Sequence, residues 1–304
     1  MIELDAAETA RRLPHSELVP AIARAAHELA TGGLNAPERL AVGVGPHATL
    51  LCMPAVASDI GIAKIVTVHP QNATHALPVI QGEVVVFDTS TGRRLMLLDG
   101  PTVTARRTAA VTLLAIDTLA TQPPRSALLI GTGVQAAAHV EALIEYFDVR
   151  SFWTAGRTLQ SATIFCETLR ARHPGINVVP VVASALEPAA IGADVVIALT
   201  TSRIPVIPPQ LPDTTLAIGV GAFRPDMAEL PTELVRRRLV VVDNLPAAER
   251  EAGDLLRAGV NWAEVRDLAH QLNRGATGLR VPAIFKSVGH ASWDLAAARV
   301  AMQG

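Results

Sequence analysis

The stretch 126-SALLIGTGVQAAAHVEALI-144 decides the fold. A short apolar run breaks into Gly131, Gly133 and Ala137 and continues with helical periodicity. Gly131 allows the tight turn, Gly133 lets backbone amides approach a pyrophosphate, and Ala137 lets the helix pack closely on the strand. The helix start then offers its unpaired amides to the anion. A lone Gly-x-Gly-x-x-Ala arises by chance in many Gly/Ala-rich chains. Here the flanking strand and helix are those that a dinucleotide-binding βαβ unit requires.

Downstream of this motif, strands alternate with helical patterns. Residues 126–130, 149–154, 177–182, 194–199, 215–220 and 239–243 read as six strands of a doubly wound sheet. Upstream the texture differs. Residues 5–32 carry helical spacing up to Gly32 and Gly33, followed by strand-like runs at 39–44, 48–53, 60–68, 83–88 and 94–98. Turn-rich pieces separate these runs, which predicts an α+β domain around a mostly antiparallel sheet. An Ala/Leu-rich helix from Pro101 to Ala120 bridges the two domains. The final piece, 281–302, reads as a strand, a glycine turn and an amphipathic helix, and periodicity assigns it to neither domain.

Composition narrows the function classes. At 304 residues and 50% hydrophobic content, the chain is long enough for two cores. A formal charge of −2 with both signs interspersed provides no basic field for nucleic acid. Cys52 and Cys166 are the only cysteines, which cannot form a disulfide framework and fits a reducing compartment. With no apolar leader and no stretch of membrane-spanning length, the expected location is the cytoplasm.

The cofactor is read from the end of the second nucleotide-domain strand, where an Asp or Glu commonly binds the adenine ribose hydroxyls. Between Asp148 and Glu167 the only charges are Arg150 and Arg157. A guanidinium there suits a 2′-phosphate and a carboxylate would repel it, so NADPH is expected, with NADH as the alternative.

Two basic residues of the first domain stand on apolar faces. In 60-IGIAKIVTV-68 the period of two puts Lys64 beside Ile62, Val66 and Val68. A buried ammonium requires a structural carboxylate, a depressed pKa or an anionic ligand, unless the strand lies at an edge and the side chain snorkels out. Arg107 shares a helical face with Val103, Ala110, Val111 and Leu114. Two such cations in one small domain suggest a pocket for a carboxylate. Arg39 alone carries no such signal. The sequence contains no nucleophile elbow and no Walker loop, and its nine histidines are scattered. His69 and His75 match no zinc spacing, so no metal site is expected. His139 and His290 read as packing or capping residues.

These segments together resemble the ornithine cyclodeaminase and mu-crystallin family over nearly the whole chain. The matching pieces are PERL (37–40), GIAKIV (61–66), the 72–78 stretch, TGRRLMLLDG (91–100), TARRTAA (104–110), GTGVQAAAH (131–139), ADVVIALTTS (193–202), RPDMAEL (224–230) and FKSVGHASWDLA (285–296). The resemblance implies a split first domain, residues 1–112 and 283–304, that binds substrate and forms a homodimer through its sheet. It implies a Rossmann domain over 113–282. Carboxylate-binding cations fall on Arg39, Lys64 and Arg107, with Lys64 also catalytic. Gly131, Thr132, Gly133, Val134 and Gln135 would hold the pyrophosphate, Arg157 the 2′-phosphate, and Thr200 and Thr201 would lie beside the nicotinamide.

One departure directs the chemistry. Ornithine cyclodeaminases carry an acid/base aspartate in the turn where this chain has Phe223, and Asp226 is displaced from that place by three residues. Phenylalanine can neither accept a proton nor pair with an ammonium. The resemblance therefore implies reduction of cyclic ketimine carboxylates, Δ1-pyrroline-2-carboxylate and Δ1-piperideine-2-carboxylate, to L-proline and L-pipecolate. The alternatives are an NAD-dependent ornithine cyclodeaminase, an amino-acid dehydrogenase acting on a linear keto acid, and a non-catalytic protein that binds NADPH and a small ligand.

Overall fold

The computed structural model describes all residues except 76, 183–185, 187–191 and 273–280. The chain divides into two compact units: residues 1–111 with 290–304, and residues 112–289.

In the first unit, strand β1 (Ile2–Leu4) leads into helices α1 (Ala6–Arg11) and α2 (His15–Thr31). Asp5 begins α1 with a reciprocal capping box to Glu8, and Gly32 ends α2 in the left-handed conformation. Strands β2 (Leu34–Asn35), β3 (Leu40–Val44), β4 (Ala48–Ala57), β5 (Ile60–Val68), β6 (Ile80–Asp88) and β7 (Arg94–Asp99) follow. The sheet runs β1-β7-β6-β5-β4-β2, with β3 also paired to β4. All pairings are antiparallel except β1 with β7. Alternation along β4 and β5 buries Met53, Ala55, Ile62, Lys64 and Val66 on the inner face, while Val56 and Ile65 stay exposed on the outer one. Helix α3 (Gly100–Leu119) contains the division between the units, at Val111 and Thr112.

The second unit contains β8 (Ser126–Ile130), α4 (Val134–Phe147), β9 (Ser151–Gly156), α5 (Leu159–Arg172), β10 (Asn177–Val182), β11 (Val195–Ala198) and β12 (Leu216–Gly219). It continues with α6 (Thr232–Arg237), β13 (Leu239–Val242), α7 (Leu245–Glu251), α8 (Gly253–Ala258), β14 (Arg266–Asp267), α9 (Leu268–Leu272) and β15 (Ala283–Lys286). All pairings in its sheet are parallel, in the order β10-β9-β8-β11-β12-β15-β13-β14. The first five of these strands have the third-second-first-fourth-fifth order of a doubly wound dinucleotide-binding sheet. The strand order reverses between β8 and β11, where the ends of such strands leave a crevice for ligand.

Three expectations are corrected. Among the described residues the sheet has eight strands rather than six, because β14 is only two residues long and β15 lies in the segment that periodicity left unassigned. The boundary expected at 283 lies further on, since β15 pairs with β12 and β13 and only the helix after it belongs to the first unit. That helix, α10 (Ala291–Gln303), is not amphipathic: its residues from Ala291 to Ala298 are all buried. It packs against α2 and strands β4, β5 and β6, so every face needs an apolar or paired side chain. Of its charged residues, Arg299 pairs with Asp59 and Glu28 at 2.7 Å each. Asp294 pairs within the core.

Candidate functional site

In the first unit, Lys64 is 2% exposed and lies on β5, flanked by β4 and β6. An interior strand excludes snorkelling. Its partner is Asp294, fully buried in the first turn of α10, where the helix dipole favours an anion. Lys64 Nζ donates to Asp294 Oδ2 at 2.7 Å. Arg107 Nε lies 3.2 Å from Asp294 Oδ1, an ion pair without hydrogen-bond alignment. One carboxylate thus faces two buried cations, an excess of positive charge in the core of the unit. Burial drives the Lys64 pKa from 10.5 down to about 8; Asp294 opposes this, while Arg107 and Arg39 add to it. Arg39, half-buried just before β3, is thereby electrostatically coupled to the same group.

Two of the three resolutions raised for a buried lysine, a structural carboxylate and a depressed pKa, therefore hold together. Asp294 itself was missed. Its only sequence signal is an acid inside the apolar run 291-ASWDLAAARV-300.

In the second unit, β8 passes through Gly131 (φ +128°) into α4. A Cβ on Gly131 would lie 2.7 Å from Leu199 O, so glycine is required where the loop after β11 approaches the first turn. Gly133 is the N-cap of α4 and no side chain caps the helix. A Cβ on Gly133 would meet nothing within 4 Å. The first-turn amides, with Thr132 and exposed Val134 beside them, thus face an open cradle. The donors are these backbone amides, since the buried, unpartnered Gln135 Oε1 is an acceptor. This donor set fits a pyrophosphate. Behind it, buried His139 donates from Nδ1 to Gln135 O at 2.8 Å, and its Nε2 lies 2.9 Å from Thr112 Oγ1.

Strand β9 ends at Gly156, two residues later than its sequence suggested, and places exposed Arg157 directly after the strand. Thr158 then caps α5. No acid stands between Asp148 and Glu167 to occupy the ribose position.

At the ends of β11 and β12, Thr201 is exposed while Thr200 is bound: its amide and hydroxyl donate to Glu229 Oε1 at 2.6 and 3.0 Å. Phe223 is half-buried in the turn after β12. Asp226 is exposed and bidentate to Arg224 at 3.0 and 2.8 Å, which commits it to the turn. Glu229, Asp254 and Lys286 form a second buried ionic cluster, with Lys286 Nζ 2.9 Å from Asp254 Oδ2 and 3.8 Å from Glu229 Oε2. Sequence reading missed all three roles. Glu229 and Lys286 lay inside quoted motifs without a partner to mark them, because their contacts span turns and strands far apart in the chain. Within the 72–78 match, residue 76 lies outside the described residues.

The model of the ornithine cyclodeaminase/mu-crystallin family matches residues 2–303. The chain is 45% identical over 297 residues to Delta(1)-pyrroline-2-carboxylate reductase 1 of Burkholderia multivorans, covering 98% of this chain and 94% of that one. It is equally 45% identical, with the same coverage, to the Delta(1)-pyrroline-2-carboxylate/Delta(1)-piperideine-2-carboxylate reductase of Azospirillum brasilense. The solved structure of Thermococcus litoralis Delta(1)-pyrroline-2-carboxylate reductase in complex with NADH and L-proline superposes with a TM-score of 0.89 at 28% identity. That superposition covers all of this chain and 97% of the other.

Proposed function

The chain belongs to the ornithine cyclodeaminase/mu-crystallin family, and from that premise we propose that it reduces Δ1-pyrroline-2-carboxylate and Δ1-piperideine-2-carboxylate to L-proline and L-pipecolate with NADPH. The observation that carries this reading is its nearly full-length likeness to proteins named for this reaction. The buried cations of the first unit supply the matching chemistry.

Lys64 and Arg107, with Arg39, hold the substrate carboxylate. The charge that Asp294 leaves unbalanced makes an entering anion favourable in an apolar setting where two cations repel each other. Holding the carboxylate fixes the adjacent ring carbon. Lys64 is also the proposed proton source, because an ammonium with a pKa of about 8 releases its proton far more readily than an ordinary lysine. Phe223 provides an apolar surface for the ring. The cradle of Gly131, Thr132, Gly133, Val134 and Gln135 holds the dinucleotide, and Thr200 and Thr201 lie toward its nicotinamide. When bound, the reduced cofactor supplies the hydride.

Arg157 and the missing acid support NADPH over NADH. A homodimer is supported by the outer face of the first sheet, where Leu40, Val42, Val44, Val56 and Ile65 are exposed. A cytoplasmic setting is supported by the free cysteines Cys52 and Cys166. Among the described residues no helix is long and apolar enough to cross a membrane.

The test is a side-by-side assay of NADPH oxidation with both ketimines and of ammonia release from ornithine with NAD. Consumption with the ketimines is expected. Oxidation with neither would overturn the reading, and ammonia release would favour a cyclodeaminase.

A further inference from the structure

Glu229 is fully buried, yet it lies against the ends of two adjacent parallel strands. Its Oε1 accepts the amide and hydroxyl of Thr200, just after β11. Its Oε2 accepts the amides of Gly221 and Ala222, just after β12, at 2.8 and 2.9 Å. Four donors thus converge on one carboxylate, two per oxygen. A Cβ on Gly221 would collide with the Thr200 backbone, so the two loops meet here as closely as a peptide allows.

The carboxylate is itself held from behind. Asp254 accepts the amides of Glu229 and Leu230, and Lys286 on β15 sets one cation against the two carboxylates, nearer to Asp254. Burial pushes the Glu229 pKa up, while Lys286 and the amide donors oppose that shift. For stability alone this arrangement is inefficient, since well-packed apolar side chains commonly replace buried ion clusters without loss. Its location suggests another purpose: the carboxyl ends of strands in a doubly wound sheet face the ligand.

We propose that Glu229 is a positioning residue that locks the Thr200 loop to the Phe223 turn, so that the residues facing the nicotinamide and the ring keep one geometry during hydride transfer. This rests on the reductase reading above. A carboxylate is required because an amide in its place would turn an NH2 group toward the N–H groups of Gly221 and Ala222 or toward that of Thr200.

The test uses full-length Glu229→Gln, with Asp254→Asn as a second variant in case the first does not fold. Hydrogen–deuterium exchange is expected to accelerate about 10-fold or more at the amides of Thr200, Gly221 and Ala222, while the amides of β8 stay at the wild-type rate. In the same variant kcat falls about 10–100-fold, KM for the ketimine moves less, and the isotope effect with 4-deuterated NADPH rises. A merely structural role would speed exchange throughout and lower kcat with the folded fraction, leaving the isotope effect unchanged; that result overturns the proposal, as does unaltered exchange at the three amides. If wild-type protein oxidises NADPH with neither ketimine, the reductase reading fails by itself. The exchange pattern then decides alone whether Glu229 locks the two strand ends.

Discussion

Lys64 and Asp294 are 230 residues apart in sequence and meet at 2.7 Å, both removed from solvent. Because Asp294 also faces Arg107, removing it strands two cations in the core. Asp294→Ala is expected to cost about 3–5 kcal/mol of stability. Replacing all three by apolar residues, as Lys64→Met, Arg107→Met and Asp294→Leu, should cost much less. Urea unfolding of the two variants checks this.

The lowered Lys64 pKa sets a pH dependence. Carboxylate binding needs the ammonium, so kcat/KM for the ketimine should fall as pH rises through about 8. Bound substrate adds an anion and favours the charged form, so the corresponding limb in kcat lies higher. Asp294→Asn removes the group that raises the pKa and should move the kcat/KM limb below that of wild type. Stability has the opposite sign: between about 8 and 10.5 the unfolded chain binds more protons at this site, so its contribution to stability rises with pH across that window. Lys64→Met should abolish both dependences.

Cofactor preference should follow Arg157. Losing a charge-assisted contact to the 2′-phosphate costs about 1.5–3 kcal/mol, so Arg157→Ala should raise KM for NADPH roughly 10–100-fold and leave NADH nearly unaffected. Initial rates with each cofactor provide the comparison.

Gly131→Ala should abolish dinucleotide binding, because the new Cβ combines a positive φ with a contact 2.7 Å from Leu199 O. Titration of NADPH fluorescence, alongside the thermal midpoint, separates lost binding from lost folding.

Much of this was legible in the sequence because it is local. The period of two along 60–68 put Lys64 on the apolar face, with the edge-strand alternative still open, the helical period put Arg107 on another, and the glycine spacing pointed to the nucleotide turn. What was not legible depends on partners distant in the chain. Asp294 looks like the polar side of an amphipathic helix until α2 and the sheet are seen to cover that side. Glu229 matters through backbone amides, which have no sequence signature. The strand β15 was left unplaced because a four-residue run, three of them apolar, cannot specify which neighbours it will have.

The arrangement of the last 22 residues governs how the molecule is made. Strand β15 fills the place between β12 and β13, and α10 completes the core of the other unit. A ribosome emits both only after the other elements of the two units, so neither unit closes before residues 283–303 have been made. Until then Lys64 on β5 and Arg107 on α3 lack their counterion and the second sheet lacks an interior strand. Both halves therefore close only once these elements have emerged, and a nascent chain stalled before residue 283 would carry two open cores exposed to chaperones and proteases.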